Sequence, residues 1–177
     1  PLYNRGHRLY KMYLDFLDKN CTARKITYAA SFGVDGWEYT KEQTEICRQL
    51  AQRFDAISVR EASGVELCRR YLGVEAIHLL DPTMLLSSDD YRSVSQTSNV
   101  RLPEGDLLVA YILDMTPQKR QYIEELSKAN NLKPYYLGKR TEDGTLPNVE
   151  SWLAGFDNAK YVVTDSFHGT VFSIIFN

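Results

Sequence analysis

At 177 residues, 44% of them apolar, the chain has the composition of a globular protein, long enough for one ordinary domain or two small ones. Its 21 Lys and Arg and 23 Asp and Glu are interspersed, a formal net charge of −2, which gives no sign of a nucleic-acid surface or an acidic tail; any basic site must be local. With no run of about 18 apolar residues and no charged-then-apolar leader, the expectation is a soluble, cytoplasmic protein.

Three cysteines, Cys21, Cys47 and Cys68, are odd in number and widely spaced, with no Cys-x-x-Cys and no histidine at ligand spacing. They read as reduced thiols in a cytosol, with Cys47 and Cys68 packed on the apolar stripes of helices, and no metal site is expected. The chain opens on Pro1 and stops at Asn177 inside an apolar helical run, which reads as truncation at both ends.

In chain order, apolar residues at helical spacing predict a helix over 9–17, and 25–30 reads as a strand ending in the turn Ser31-Phe32-Gly33. Thr40 and Gln43 form a capping box that opens a helix with Ile46, Cys47, Leu50 and Phe54 on one face. Residues 56–60 are a short strand. Ser63 with Glu66 opens the next helix, which turns Val65, Cys68 and Leu72 inward and stops at Gly73, a left-handed cap. Residues 76–80 form a third strand closed by Asp81-Pro82. Residues 87–106 are polar and rich in turn formers, without apolar periodicity. Beyond them, 107–113 is a buried strand, and Thr116-Pro117 caps a helix with Tyr122, Ile123, Leu126 and Ala129 inward. Residues 133–138 are another strand, Asn148 caps a helix through Trp152 and Leu153, and 161–165 is the last strand. Tyr122, Trp152 and Tyr161 all fall at positions a core would need.

Helices alternating with strands indicate an α/β fold of two Rossmann-like units with parallel sheets. The expected division is an N-terminal α/β unit over 1–90 that lacks its first strand, a linker over 91–105, and an incomplete C-terminal α/β unit over 106–177.

In open parallel sheets, ligands lie beyond the carboxyl ends of the strands, where helix N-termini point free N–H groups. That rule nominates Ser31-Phe32-Gly33, Arg60-Glu61, Gly138-Lys139-Arg140 and Ser166-Phe167-His168-Gly169-Thr170, none of them a GxGxxG or phosphate-binding loop. Gly169 and Thr170 would present main-chain N–H groups to an anion, and His168 beside them could exchange a proton near neutral pH. The plainer role for His168 is a helix cap. Arg60 at a strand end, oriented by Glu61, suits a bidentate grip on carboxylate or phosphate; its plainer role is an ion pair with Glu61. Lys139 and Arg140 offer a second positive patch, or merely solvated charge. His7, in a polar opening segment, and His78, inside an apolar strand, read as structural.

The stretches KITYAASFG (25–33), AISVREASGVELCRRYLG (56–73), LLDPTMLL (79–86) and NAKYVVTDSFHGTVFSIIF (158–176) resemble the polysaccharide pyruvyl transferase family, in the same order and over most of the chain. The resemblance implies a GT-B-like fold and a transferase that takes the enolpyruvyl group of phosphoenolpyruvate to a sugar of a cell-surface polysaccharide or its precursor, forming a cyclic pyruvate ketal. By the same resemblance His168 is the catalytic acid or base; such a donor would be bound by Arg60, oriented by Glu61, and by Ser166, Gly169, Thr170, Lys139 and Arg140, with Ser31 either a donor contact or a turn former. Some members place Arg two residues before the histidine, where this chain has Ser166. No cofactor beyond the donor substrate is implied. The partners are phosphoenolpyruvate and a sugar or lipid-linked oligosaccharide acceptor, which would bring peripheral contact with the membrane; no nucleic acid is implied. Two other readings share the architecture: a GT-B-type glycosyltransferase using a nucleotide sugar, and a non-catalytic sugar- or phosphate-binding module.

Overall fold

The computed structural model describes residues 8–138 and 146–176. The chain divides into two compact units, Pro1–Pro82 and Thr83–Asn177.

The first unit contains α1 (Arg8–Lys11), α2 (Lys41–Ala51), β1 (Ser58–Val59), α3 (Ala62–Leu67), which runs on as a π-helical turn over Cys68–Leu72, and β2 (Ile77–His78). The helix expected over 9–17 ends at Lys11, because Leu14 takes a positive φ of 57° that no α-helix continues through. β1 and β2 pair in parallel, Ser58 opposite Ile77 and Val59 opposite His78. The strand expected over 25–30 survives only as two parallel bridges, Ile26 with Ala56 and Ala30 with Val59. Ala29 at φ 47° breaks the extended run, and side chains take over part of the ladder. Ser58 N donates to Thr27 Oγ1 at 2.9 Å, and Ser58 Oγ accepts from Ala29 N at 2.9 Å.

Thr40 and Gln43 form the full reciprocal capping box of α2. The box expected at Ser63 and Glu66 does not form. Glu61 is the N-cap residue of α3 without a side-chain cap, and the Ser63 hydroxyl donates to Asp35 Oδ1 at 2.7 Å instead. Gly73 closes the helical run in the left-handed conformation, φ 65°. The core joins Leu9, Cys47, Ala51, Val59, Cys68 and Leu72. Burial pushes the thiols of Cys47 and Cys68 up to about 12 and about 11, so both are packing groups rather than nucleophiles.

The second unit opens within a 3₁₀ turn over Pro82–Leu85. It contains α4 (Ser88–Ser95), β3 (Leu107–Tyr111), α5 (Pro117–Ala129), β4 (Lys133–Tyr136), α6 (Val149–Asp157), β5 (Ala159–Thr164) and α7 (Phe167–Ile175). The sheet order is β4-β3-β5, all parallel, with Leu108 opposite both Pro134 and Tyr161. The central strand β3 is covered on both faces, as its unbroken apolar run requires. Leu107 and Val109 point to a cluster with Leu137, Leu153, Phe156 and Phe172, while Leu108 and Ala110 point to Ile123 and Leu132.

Two expectations change here. Residues 88–95, at the entry to the expected linker, are the helix α4, capped by Ser87 with Asp90 reciprocating. It is held on α6 mainly by polar groups: Arg92 Nε meets Asp157 Oδ1 at 3.0 Å and Ser95 Oγ donates to Asp157 Oδ2 at 3.1 Å. Tyr91 supplies its apolar anchor, edge-on to Phe172 with ring centres 4.8 Å apart. The other change is on the α5 face, where Tyr122 is 59% exposed; Ile123 alone of that pair is buried. Tyr161 is likewise exposed, whereas Trp152 packs against the core. Among the described residues no helix is long and apolar enough to cross a membrane, and no cluster of potential metal ligands occurs.

Candidate functional site

In the second unit the carboxyl ends of the parallel strands bring together the residues after β3, Gly138 after β4, and the segment Asp165 to Thr170 after β5. A hollow of about 330 Å³ lies by the ends of β3 and β4, with Tyr111, Leu113, Gly138, Pro147 and Trp152 among its lining residues and none of Asp165 to Thr170. Gly138 takes φ 82°, which turns the chain away from β4 at little steric cost.

The β5–α7 junction is built tightly. Thr164 Oγ1 donates to Tyr111 O at 2.7 Å and accepts from Ser166 N at 3.0 Å. Ser166, 6% exposed, is the N-cap of α7, its hydroxyl accepting from Gly169 N. Gly169 lies so close to β5 that a Cβ there would stand 2.9 Å from Thr164 Cβ, with the threonine hydroxyl nearer still. The amides expected to face an anion are therefore engaged inside the helix: Gly169 N by Ser166 Oγ at 3.4 Å and Thr170 N by Ser166 O at 3.1 Å. Thr170 Oγ1 also turns back, to Ser166 O at 3.3 Å. His168, second residue of α7, is exposed, its ring edge-on to Phe167 at 5.2 Å.

Asp165 was not among the residues the sequence nominates, although it stands inside the quoted motif. Its Oδ1 accepts from Leu113 N and its Oδ2 from Lys119 Nζ, each at 2.7 Å. The lysine and then the Leu113 amide hold its carboxyl below the ordinary aspartate range.

In the first unit Ser31, Arg60 and Glu61 do come together, and Asp81 joins them. Ser31 Oγ donates to Glu61 Oε1 at 2.6 Å and accepts from Gly33 N at 2.9 Å. Arg60 Nε meets the same Glu61 oxygen at 3.1 Å, and its Nη1 meets Asp81 Oδ2 at 2.7 Å. The Arg60 side chain is 22% exposed and that of Asp81 5%. Burial disfavours the guanidinium charge, but the two carboxylates outweigh it and raise the pKa of Arg60. Glu61 Oε2 is buried with no hydrogen-bond partner. His78 lies on the strand edge, Nε2 at 3.0 Å from Arg60 O, a structural contact. Asp81 could have been found from Asp-Pro-Thr, which the sequence shows, but not its pairing with an arginine twenty-one residues earlier. Lys139 and Arg140 lie outside the described residues, as does His7.

A family model described as polysaccharide pyruvyl transferase matches residues 2–177. The chain belongs to the polysaccharide pyruvyl transferase family. No curated protein and no solved structure matches it. As a polysaccharide pyruvyl transferase it is a transferase, and a sugar is its acceptor. The stretches that carry the resemblance contain Arg60, Glu61 and Asp81 in one unit and Asp165 to Thr170 in the other.

Proposed function

We propose that this protein takes the enolpyruvyl group of phosphoenolpyruvate to a sugar of a cell-surface polysaccharide or its precursor and closes it as a pyruvate ketal. The supporting observation is the family match along the whole chain, joined to an exposed histidine at a helix start beyond the carboxyl ends of a parallel sheet. The proposal includes a GT-B-like fold, a cytoplasmic site of action, no cofactor besides the donor, and membrane contact through a lipid-linked acceptor.

In net terms the donor and a diol give the ketal and inorganic phosphate. One hydroxyl proton ends on the methylene carbon, which becomes the methyl group, and the other leaves with the phosphate. We assign proton transfer to His168, the exposed imidazole at the start of α7. Arg60 is assigned to the donor, with Glu61 orienting it through Nε and Ser31 steadying Glu61. Any donor carboxylate at Arg60 shares the guanidinium with Asp81, so this residue supplies direction more than net charge. Ser166, Gly169 and Thr170 serve the site by shaping the turn under His168, and Lys139 and Arg140 add positive charge for the phosphate.

The test is to incubate the full-length protein with phosphoenolpyruvate and cell-surface polysaccharide freed of ketals by mild acid. Formation of a ketal methyl resonance with matching phosphate release is expected. His168→Ala should lower turnover by at least about 10²-fold, the low end for general acid–base help, while still binding phosphoenolpyruvate. Wild-type turnover in that variant would remove His168 from the chemistry.

A further inference from the structure

We infer that Asp165 is a positioning residue for His168, strapping the β5–α7 turn to the end of β3 so that the imidazole keeps one place. The inference rests on the proposed role of His168. Both carboxylate oxygens are used, and on different elements: Oδ1 takes Leu113 N and Oδ2 takes Lys119 Nζ, each at 2.7 Å. The ammonium also donates to Asp114 O at 2.8 Å, so one lysine ties the carboxylate to the loop between β3 and α5. One residue earlier, Thr164 fastens the same turn to Tyr111 O. Two partners fix the plane of the carboxylate as well as its position, and only Ser166 and Phe167 separate it from His168.

The pair is too exposed, 40% for Lys119 and 30% for Asp165, to matter much as a stabilising ion pair. Geometry is what it supplies. An exposed catalytic side chain at the start of a nine-residue helix is placed by the turn that precedes it, and a displacement of 1 Å can cost about 10²-fold in rate.

Asp165→Asn keeps an acceptor for the Leu113 amide but loses the charge that holds Lys119. With phosphoenolpyruvate and acid-stripped polysaccharide as substrates, its kcat should fall about 10- to 100-fold with KM for phosphoenolpyruvate within about twofold. Lys119→Arg should keep most of the turnover, and Lys119→Met should lose it as Asp165→Asn does. The double variant Asp165→Asn, His168→Ala should be no slower than His168→Ala, because a residue acting only through the imidazole has nothing left to position. Wild-type kcat in Asp165→Asn beside an impaired His168→Ala overturns the inference alone. So do losses that multiply in the double variant, which would mark a general structural role. Wild-type turnover in His168→Ala overturns the underlying role of the histidine and this inference together. Should Asp165→Asn fail to fold, Lys119→Met decides the matter, and wild-type kcat there overturns the strap.

Discussion

Arg60 shows how far a single residue can be read before its partners are known. Its place at a strand end beside Glu61 is visible in Ser-x-Arg-Glu, and so is its suitability as a fork for an anion. What a linear reading misses is Asp81, brought to Nη1 at 2.7 Å by the parallel pairing of β1 and β2. One guanidinium between two carboxylates gives the cluster a formal charge of −1. Arg60→Ala would therefore strand a nearly buried carboxylate, and a loss of about 3 kcal/mol in denaturant unfolding is expected. Arg60→Lys keeps the charge but not the fork, and calorimetry should show phosphoenolpyruvate binding weakened by more than about 1.5 kcal/mol. An unchanged dissociation constant in the lysine variant would leave Arg60 as the counter-ion of Asp81 and nothing more.

Elements with local signals were legible, and elements held by distant side chains were not. Thr40, Thr116 and Asn148 cap their helices through their own side chains, as their positions before helical runs indicate. The 25–30 segment fails as a strand because Thr27 and Ser58 exchange hydroxyl bonds in place of ladder bonds, which no periodicity records. Helix α4 was hidden for a related reason: it is held to α6 through Arg92, Ser95 and Asp157, so its polar sequence resembles a linker. The β5–α7 junction was legible as a tight turn, but the close seating of Gly169 on Thr164 was not. Gly169→Ala should accordingly destabilise the protein by about 1–3 kcal/mol, as overpacking does, seen as a lowered thermal midpoint. An unaltered midpoint would contradict the close seating of α7 on β5.

On the scale of the whole molecule, the alternation of helices and strands carried the α/β class and the parallel sense of both sheets. The division at Pro82 and Thr83 comes ahead of the polar stretch, because that stretch contributes a helix to the second unit. Family membership was legible because four stretches resemble the family in one order, and the family model matches residues 2–177. Donor identity is a different matter, since helix starts beyond a parallel sheet suit phosphoenolpyruvate and nucleotide diphosphates alike. The measurement that tests pyruvyl transfer most directly is a calorimetric titration of the full-length protein with phosphoenolpyruvate and, separately, with a uridine diphosphate sugar. We expect heat of binding from phosphoenolpyruvate and none from the nucleotide sugar. Binding of the nucleotide sugar alone would contradict the account and make the protein a glycosyltransferase.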